Sequence, residues 1–377
     1  MSGAVIAGIG MHPFGRFGAT SVAQMGSVAV ERALRDAEIE PSRIGATFCA
    51  TVYSGVATGH RVLAQLGMTG GPIVDVEAGC ASGGAALQLA VDAVLSGQHE
   101  AVLVVGVEKM PRGIIRSSFF APWQEAAGFS PAPAYFAMRA QRLLREQGLD
   151  KNDLARLVVK NRAAGAHNSD AMFRAAVTVE QVLASTLVCD PLHLWMLCSP
   201  NEGAAAVVVR RAKGNARDVH IAGIALRSHR PGSILGEDTP LCGVDDTAIV
   251  PPTTSAAQAA YAQAGIGPAD LDIVECQDTD AARELMVWTE LGLCAPGDQR
   301  ALLAGGEAEP GGARPINPSG GLLSKGEPLG ASALGQVCEL VTQLRGEAGP
   351  RQVKPSRTAM AHVIGRGANA CVTVLKR

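Results

Sequence analysis

The chain has 377 residues, of which 47% are hydrophobic and 18% are charged, so it is long enough for two packed cores and too apolar to be disordered. Aromatic residues make up only 4% and the formal net charge is −2, which disfavours nucleic acid and membrane surfaces as partners. Nine cysteines without paired metal spacing indicate neither a disulfide framework nor a metal site.

The start of the sequence predicts a buried strand over residues 4–9, and it has neither a basic leader nor a cleavage-type hydrophobic region. Since no apolar run reaches membrane-spanning length, we expect a cytoplasmic protein. A matching apolar segment occurs at residues 219–224, and both copies are followed by a helical pattern, a proline turn and a second apolar strand. Their agreement in order and spacing predicts two similar α/β halves, residues 1–213 and 217–377.

The segment around Cys80 predicts a nucleophile. Residues 73–77 read as a strand, glycines and small residues form a turn, and residues 85–95 carry a helical apolar pattern. A thiol at a helix start is stabilised as thiolate by unpaired backbone N–H groups and by the helix dipole, which lowers its pKa. The same N–H groups suit a developing oxyanion. The alternative is a buried structural cysteine, which is how we interpret the other cysteines.

An excursion from the first half is predicted at about residues 110–185, where prolines punctuate the pattern before the helical stretch 135–147. Residues 109–174 contain eleven Lys and Arg against five Asp and Glu. This local excess predicts a site for a phosphate-bearing ligand, or alternatively a solvated helix face.

Two further candidates lie near the C-terminus. Glu327 stands between a glycine and a proline in the turn-rich segment 315–332, so it is a candidate acid or base, unless it is an exposed loop carboxylate. His362 stands near the end of the predicted strand that precedes Gly365, where α/β sites gather. A core histidine bonded to the backbone is the alternative interpretation.

Taken together, these segments resemble the thiolase superfamily over essentially the whole chain. The nucleophile motif of that family is similar to residues 77–84 and its glycine loop to residues 317–329. Its loop domain resembles residues 158–161 with 177–180, and the end of its first half resembles residues 201–206. The branch resembles sterol-carrier-protein-type thiolases and the related lipid-transfer-protein-type aldolases.

The resemblance implies a five-layered αβαβα fold, a homodimer, and action on acyl-coenzyme A thioesters. No tightly bound cofactor is expected, because coenzyme A is a substrate or cosubstrate. In the family a cysteine is acylated, acid–base groups move protons, and a Claisen bond forms or breaks. For this chain the resemblance implies Cys80 as the nucleophile, with Glu327 and His362 as acid–base groups.

The sequence departs from the family pattern in three places. Gly326-Glu327-Pro328 replaces the Gly-His-Pro of thiolases, so a carboxylate stands where a histidine activates the cysteine, and like charge there raises a thiol pKa. His362 is therefore a candidate activator of Cys80. Gln277 stands where relatives carry an Asn or His, and its amide can donate to a thioester oxygen but cannot act as a base.

The third departure is Ile364, which occupies the position of the tyrosine in the His-Val-Tyr-Gly turn of the aldolases. Those relatives cleave by a retro-aldol reaction, often with a small OB-fold, zinc-ribbon partner chain. The leading hypothesis is thus acyl transfer through Cys80. Retro-aldol cleavage of a β-hydroxyacyl thioester and a non-catalytic subunit that supports a partner chain are the alternatives.

Overall fold

The computed structural model describes residues 3–116, 122–128, 130–229, 250–365 and 369–377. Within them the strands are β1 (Ala4–Gly15), β2 (Ala46–Ala50), β3 (Ile73–Val76), β4 (Ala101–Lys109), β5 (Leu187–Cys189), β6 (Leu192–His193), β7 (Glu202–Arg211), β8 (Val219–Ser228), β9 (Ile273–Cys276), β10 (Thr358–Ile364) and β11 (Asn369–Lys376). The helices are α1 (Val22–Ala37), α2 (Thr58–Ala64), α3 (Ser82–Leu95), α4 (Pro122–Ala126), α5 (Ala132–Gln147), α6 (Lys151–Gly165), α7 (Val179–Ala184), α8 (Pro252–Ala264), α9 (Ala281–Glu290), α10 (Gln299–Ala304), α11 (Gly321–Lys325) and α12 (Leu329–Arg345).

The main sheet shows the predicted duplication in its strand order. Nine strands follow the order β3-β2-β4-β7-β1-β8-β11-β10-β9. In the first half β2 runs parallel to β3 and β4, whereas β7 runs antiparallel to β4 and β1. The second half repeats this pattern, because β10 runs parallel to β9 while β11 runs antiparallel to β10 and β8. Short β1–β8 pairing joins the halves.

Helices separate the layers as the resemblance implied. One buried cluster packs α1 and α2 against the outer face of the first half. A second joins α3 and α12 to strands of both halves, so these two helices form the middle layer. A third packs α8 and α9 against the outer face of the second half. The arrangement confirms the predicted five-layered αβαβα fold, whereas the domain limits at residues 213 and 217 stay a prediction.

The excursion between β4 and β7 contains α4 to α7 and the β5–β6 hairpin. Asp150 caps the N-terminus of helix α6, because its side chain accepts hydrogen bonds from two backbone N–H groups of the first turn. Near its other end, Lys160 Nζ lies 2.7 Å from Glu284 Oε1 of α9. Asn161 Nδ2 donates to Asp278 Oδ2 at 2.9 Å. These buried contacts dock the excursion on the second half.

Local predictions agree with these bounds. The helix expected at residues 85–95 is α3, the helix at 135–147 lies within α5, and the strand at 73–77 is β3. In the part of the chain that the structure describes, every helix is too short or too polar to cross a bilayer.

The close contact between β4 and α12 provides a stability test. A Cβ added at Gly106 would lie 2.2 Å from the carbonyl oxygen of Gly330, so Gly106→Ala forces strand and helix apart. We expect a loss of about 1–3 kcal/mol in the free energy of unfolding, measured by denaturant titration. Gly311→Ala is the matched control, because a Cβ there meets nothing within 4 Å. Equal stability of the two variants would contradict the tight packing described here.

Candidate active site

The nucleophile turn places Cys80 two residues before the first residue of α3, next to the N-cap residue Ala81. Gly79 has a φ of 59°, a conformation that favours glycine, and it lets the chain reverse between β3 and the helix. The Ser82 hydroxyl closes the turn, because it accepts from the backbone N–H of Ala78 at 2.8 Å and donates to the carbonyl of Gly79. Cys80 is 7% exposed, and its exposed part lines a large cavity.

The cavity has a volume of about 730 Å³ and is bounded by both halves and by the excursion. Its wall includes the aromatic side chains of Tyr135, Phe136, Phe173 and Trp195, which come from the excursion. A mostly apolar cavity of this size with charged groups in its wall is typical of a small-molecule site.

Glu327 is buried beside Cys80 at the start of α12. Its Oε1 accepts from Gln277 Nε2 at 2.9 Å and its Oε2 accepts from Cys198 Sγ at 3.2 Å. A further hydrogen bond joins the Glu327 carboxylate to Cys80. The preceding Gly326 is required, because a Cβ there would lie 2.0 Å from Asn201 Nδ2. The exposed-carboxylate interpretation of Glu327 therefore does not apply.

Burial controls the acid–base properties of this cluster. Loss of water raises the pKa of the Glu327 carboxyl above its usual value, although hydrogen bonds from the two thiols and the Gln277 amide act in the opposite direction. Burial also raises the pKa of the Cys198 thiol well above its usual value, and the nearby Glu327 charge adds to this effect. Cys198 is consequently a neutral hydrogen-bond donor, and Glu327 can take up a proton from Cys80.

Gln277 lies behind Glu327 and is fully buried. Its Oε1 accepts from the backbone N–H of Ile364, which orients its Nε2 towards Glu327. The amide group therefore holds the carboxylate in place. Donation to a thioester oxygen, as the sequence predicted, stays a prediction, and the structure does not place Gln277 among the cavity-lining residues.

His362 is the predicted site residue that the structure does not bring to the cluster. Side chains alternate along β10, and the neighbours Ala361 and Val363 belong to the core around the middle layer. His362 is fully buried, and its Nε2 lies 3.1 Å from the Thr253 hydroxyl of α8. Burial lowers its pKa well below the usual value, and Arg283 adds to the shift. The core-histidine alternative describes its burial, but its hydrogen-bond partner is the Thr253 hydroxyl rather than the backbone.

Cys198 is a site residue that the sequence interpretation missed. The core assignment fits Cys49, Cys276, Cys338 and Cys371, which are buried in strands or in α12. Cys198 instead lies in an irregular segment before β7 and lines the cavity. One signal was available in the sequence. Cys198 directly precedes Ser199-Pro200, a turn-forming segment that leads into residues 201–206.

The basic excursion contributes Arg139 and Arg162 to the cavity wall. Arg139 forms an ion pair with Asp280 at the start of α9. Arg139 is mostly buried and paired inside the protein, so it lies on neither a solvated face nor an unpaired ligand site, and the ligand-site interpretation of the segment stays a prediction.

Comparisons with known proteins agree with this architecture. The model of the thiolase N-terminal domain matches residues 4–190, and that of the thiolase C-terminal domain-like family matches residues 240–377. The chain is 34% identical to the benzoylsuccinyl-CoA thiolase subunit BbsB of Thauera aromatica, over 97% of this chain and 95% of that protein. It is also 34% identical to an acetyl-CoA acetyltransferase of Methanothermobacter thermautotrophicus, over the full length of both.

Solved structures show the same fold. A structure titled Ltp2-ChsH2(DUF35) aldolase superposes with a TM-score of 0.87 at 25% identity, covering 99% of this chain and 97% of that one. Human mitochondrial 3-ketoacyl-CoA thiolase in complex with CoA superposes with a TM-score of 0.74 at 16% identity, covering 99% and 97%, which supports the fold alone. With both family models matched across its two halves, the chain belongs to the thiolase superfamily.

Proposed function

We propose that this chain is a thiolase-like acyltransferase that carries an acyl group on Cys80 and makes or breaks a carbon–carbon bond next to a coenzyme A thioester. The observation that carries the proposal is the hydrogen bond between Cys80 and the buried Glu327 carboxylate at the wall of one cavity. The relatives named as a thiolase subunit and an acetyltransferase support the same class of activity.

In the cleavage direction, Glu327 takes the thiol proton of Cys80 while the sulfur attacks the keto carbonyl of a 3-ketoacyl-coenzyme A. The bond between the α and β carbons then breaks, and the leaving acyl-coenzyme A carbanion takes up the proton that Glu327 holds. A coenzyme A thiol next attacks the acyl-cysteine, and its proton passes through Glu327 back to the Cys80 sulfur. The Claisen condensation is the reverse sequence.

Two neighbours position the base. Gln277 fixes one carboxylate oxygen and Cys198 binds the other, so Glu327 is held towards Cys80 by neutral donors. Hydrogen bonds to a carboxylate favour its ionised form and partly oppose the effect of burial. The assignment of His362 to acid–base work is not carried into this scheme, because its ring contacts Thr253.

Retro-aldol cleavage of a β-hydroxyacyl-coenzyme A is the second candidate. It is supported by the TM-score of 0.87 with the aldolase structure and by the carboxylate in the Gly-Glu-Pro turn. In that reaction Glu327 would take the hydroxyl proton without a covalent intermediate. Ile364 in place of the aldolase tyrosine and the presence of Cys80 favour acyl transfer.

The proposal also includes assembly with a second copy of the chain and with a partner chain. A homodimer is expected from the family, and a small OB-fold, zinc-ribbon partner chain is expected from the aldolase-type relatives. The word subunit in the name of the Thauera protein and the two-component title of the aldolase structure support a partner chain. The cytoplasmic location stays a prediction.

The covalent intermediate gives a direct test. Incubation with short, branched and aromatic acyl-coenzyme A donors should place an acyl group on Cys80, detected by intact-protein and peptide mass spectrometry, because the thiol is adjacent to a general base. Cys80→Ala should remove the adduct, whereas Cys294→Ala, outside the cavity wall, should retain it. Retro-aldol turnover that survives unchanged in Cys80→Ala would instead establish the second candidate.

The pH dependence tests Glu327. Since its pKa is raised and the ionised form is the base, the acylation rate should increase with pH through a pKa above about 4.3, the ordinary Glu value. Glu327→Gln should slow acylation by about 10²–10⁴-fold and remove this limb from the pH–rate profile.

Stability separates this catalytic role from a structural one. Because the pKa of Glu327 is higher in the folded protein, its protonated carboxyl stabilises the fold at pH values below the ordinary Glu pKa. This contribution is lost as the pH rises through the folded-state pKa. Glu327→Gln should therefore unfold at no lower temperature than wild type at neutral pH. A variant that lost both stability and activity would indicate a structural carboxylate.

Cys198→Ala tests the second thiol. Removal of its donor to the Glu327 carboxylate should raise the carboxyl pKa further, so the ascending limb of the pH–rate profile should shift to higher pH while the adduct stays on Cys80. Cys294→Ala provides the matched control. Loss of the Cys80 adduct in Cys198→Ala would show that Cys198 takes part in the covalent chemistry itself.

A further inference from the structure

Arg162 is a buried cation in the wall of the cavity that also exposes Cys80 and Glu327. It lies on α6, and only 6% of its surface is exposed. Its Nε is buried without a hydrogen-bond partner, and within the described ranges no carboxylate pairs with the guanidinium. Among the residues that the structure describes, the buried Nε donor of Arg162 is therefore unused in the wall of the site.

The other arginines of the cavity wall differ in this respect. Arg16 lies 3.8 Å from Glu202, Arg139 pairs with Asp280, and Arg283 Nη2 lies 2.6 Å from Glu290 Oε2. Each of these charges is compensated by a carboxylate within the protein. Among the described residues, Arg162 instead contacts the ring of Phe173, whose centroid lies 4.1 Å from its Cζ, and has no carboxylate partner.

An unpaired buried charge is costly, because water is removed and no opposite charge replaces it. Burial lowers the pKa of Arg162 to about 10, so the side chain still carries its charge at neutral pH. The cation–π contact with Phe173 offsets only part of the desolvation. An anion that enters the cavity would complete the compensation.

We propose that Arg162 recognises a second carboxylate on the acyl part of the substrate, so that the enzyme prefers acyl-coenzyme A thioesters of dicarboxylic acids. The inference rests on the proposed acyl-transfer function. A guanidinium binds a planar carboxylate through two parallel hydrogen bonds, which fits donors that face a cavity. The aromatic wall formed by Phe136, Phe173 and Trp195 suits the carbon chain between thioester and carboxylate.

The phosphates of coenzyme A share this chemistry but fit the position less well. They are bulky and strongly hydrated, whereas Arg162 is more than nine-tenths buried and packs on an aromatic ring. A carboxylate is planar and smaller, so it needs less room beside the guanidinium. The acyl end of the substrate is therefore the better source of the anion.

The test compares matched thioesters on the full chain. Succinyl-, glutaryl- and adipyl-coenzyme A are paired with butyryl-, valeryl- and hexanoyl-coenzyme A, and the second-order rate of Cys80 acylation is measured. Wild type should prefer a dicarboxylic donor at one or more chain lengths, and Arg162→Met should lower that preference by about 10–100-fold. Arg156→Met is the matched control, because Arg156 lies on the same helix with its side chain 51% exposed.

N-Acetylcysteamine thioesters of the same acids separate the two anion sources, because they lack phosphates. Persistence of the Arg162→Met effect with these donors supports recognition of the acyl carboxylate. A different result would be that Arg162→Met lowers the acylation rate equally for both members of every coenzyme A pair and leaves the N-acetylcysteamine thioesters unaffected. That result would assign Arg162 to phosphate binding and overturn the proposal. An unchanged preference in Arg162→Met would overturn it as well.

Binding separates this inference from the proposed reaction. Calorimetric titration of Cys80→Ala with the paired coenzyme A thioesters measures recognition without chemistry, so a carboxylate preference can be established even where no acyl-enzyme forms. Because Arg162→Met removes an uncompensated charge, its melting temperature should be no lower than that of wild type. A large decrease would identify Arg162 as a structural residue.

Discussion

The close approach of α12 to the first half of the sheet is the constraint on which the candidate site depends. A Cβ at Gly330 would lie 2.4 Å from the carbonyl oxygen of Ala50, and a Cβ at Gly106 would lie 2.2 Å from the carbonyl oxygen of Gly330. Backbone therefore packs directly on backbone where α12 begins. Since Glu327 lies two residues before that helix, these glycines influence how near its carboxylate comes to Cys80.

A buried polar network joins the excursion to the segment that leads to Glu327. Asp278 accepts from the backbone N–H of Leu322 at 2.6 Å and of Leu323 at 3.1 Å, and also from the Asn161 amide on α6. Burial raises the pKa of Asp278 well above its usual value, and Glu284 adds to the shift. A satisfied buried network of this kind rigidifies and specifies a geometry, so the excursion and the segment that carries Glu327 are held by the same contacts.

Two site residues could be located from the sequence because residues next to them in the chain define their surroundings. Cys80 follows a strand and precedes a helix within a few residues, and Glu327 stands between a glycine and a proline, so short-range patterns were enough. Cys198 contacts Glu327 across 129 positions, and no local pattern reports such a contact. His362 shows a different limit, because a pattern places a residue in a strand but does not decide which layer its side chain faces.

The duplicated fold could be predicted because a repeat is visible in the sequence itself, whereas the role of Cys198 depends on a long-range contact. Residues 4–9 and 219–224 repeat a strand signal in the same order relative to their helices, and repetition is visible without any knowledge of contacts. Arg162 lies in a helix whose basic composition was noticed, but the sequence did not separate a paired arginine from an unpaired one. That distinction depends on Glu202, Asp280 and Glu290, which lie in other elements.

A carboxylate can replace an imidazole beside a thiol only where water and cations are kept from it. The ordinary pKa of a glutamate lies about four units below that of a thiol, so a solvated carboxylate is too weak a base for this task. Burial of Glu327 raises its pKa towards that of a thiol, and its hydrogen-bond partners Cys198 and Gln277 are neutral groups. A guanidinium in contact with Glu327 would lower its pKa and reverse this effect. The negative charge of Asp280, which pairs with Arg139, raises the pKa of Glu327 further.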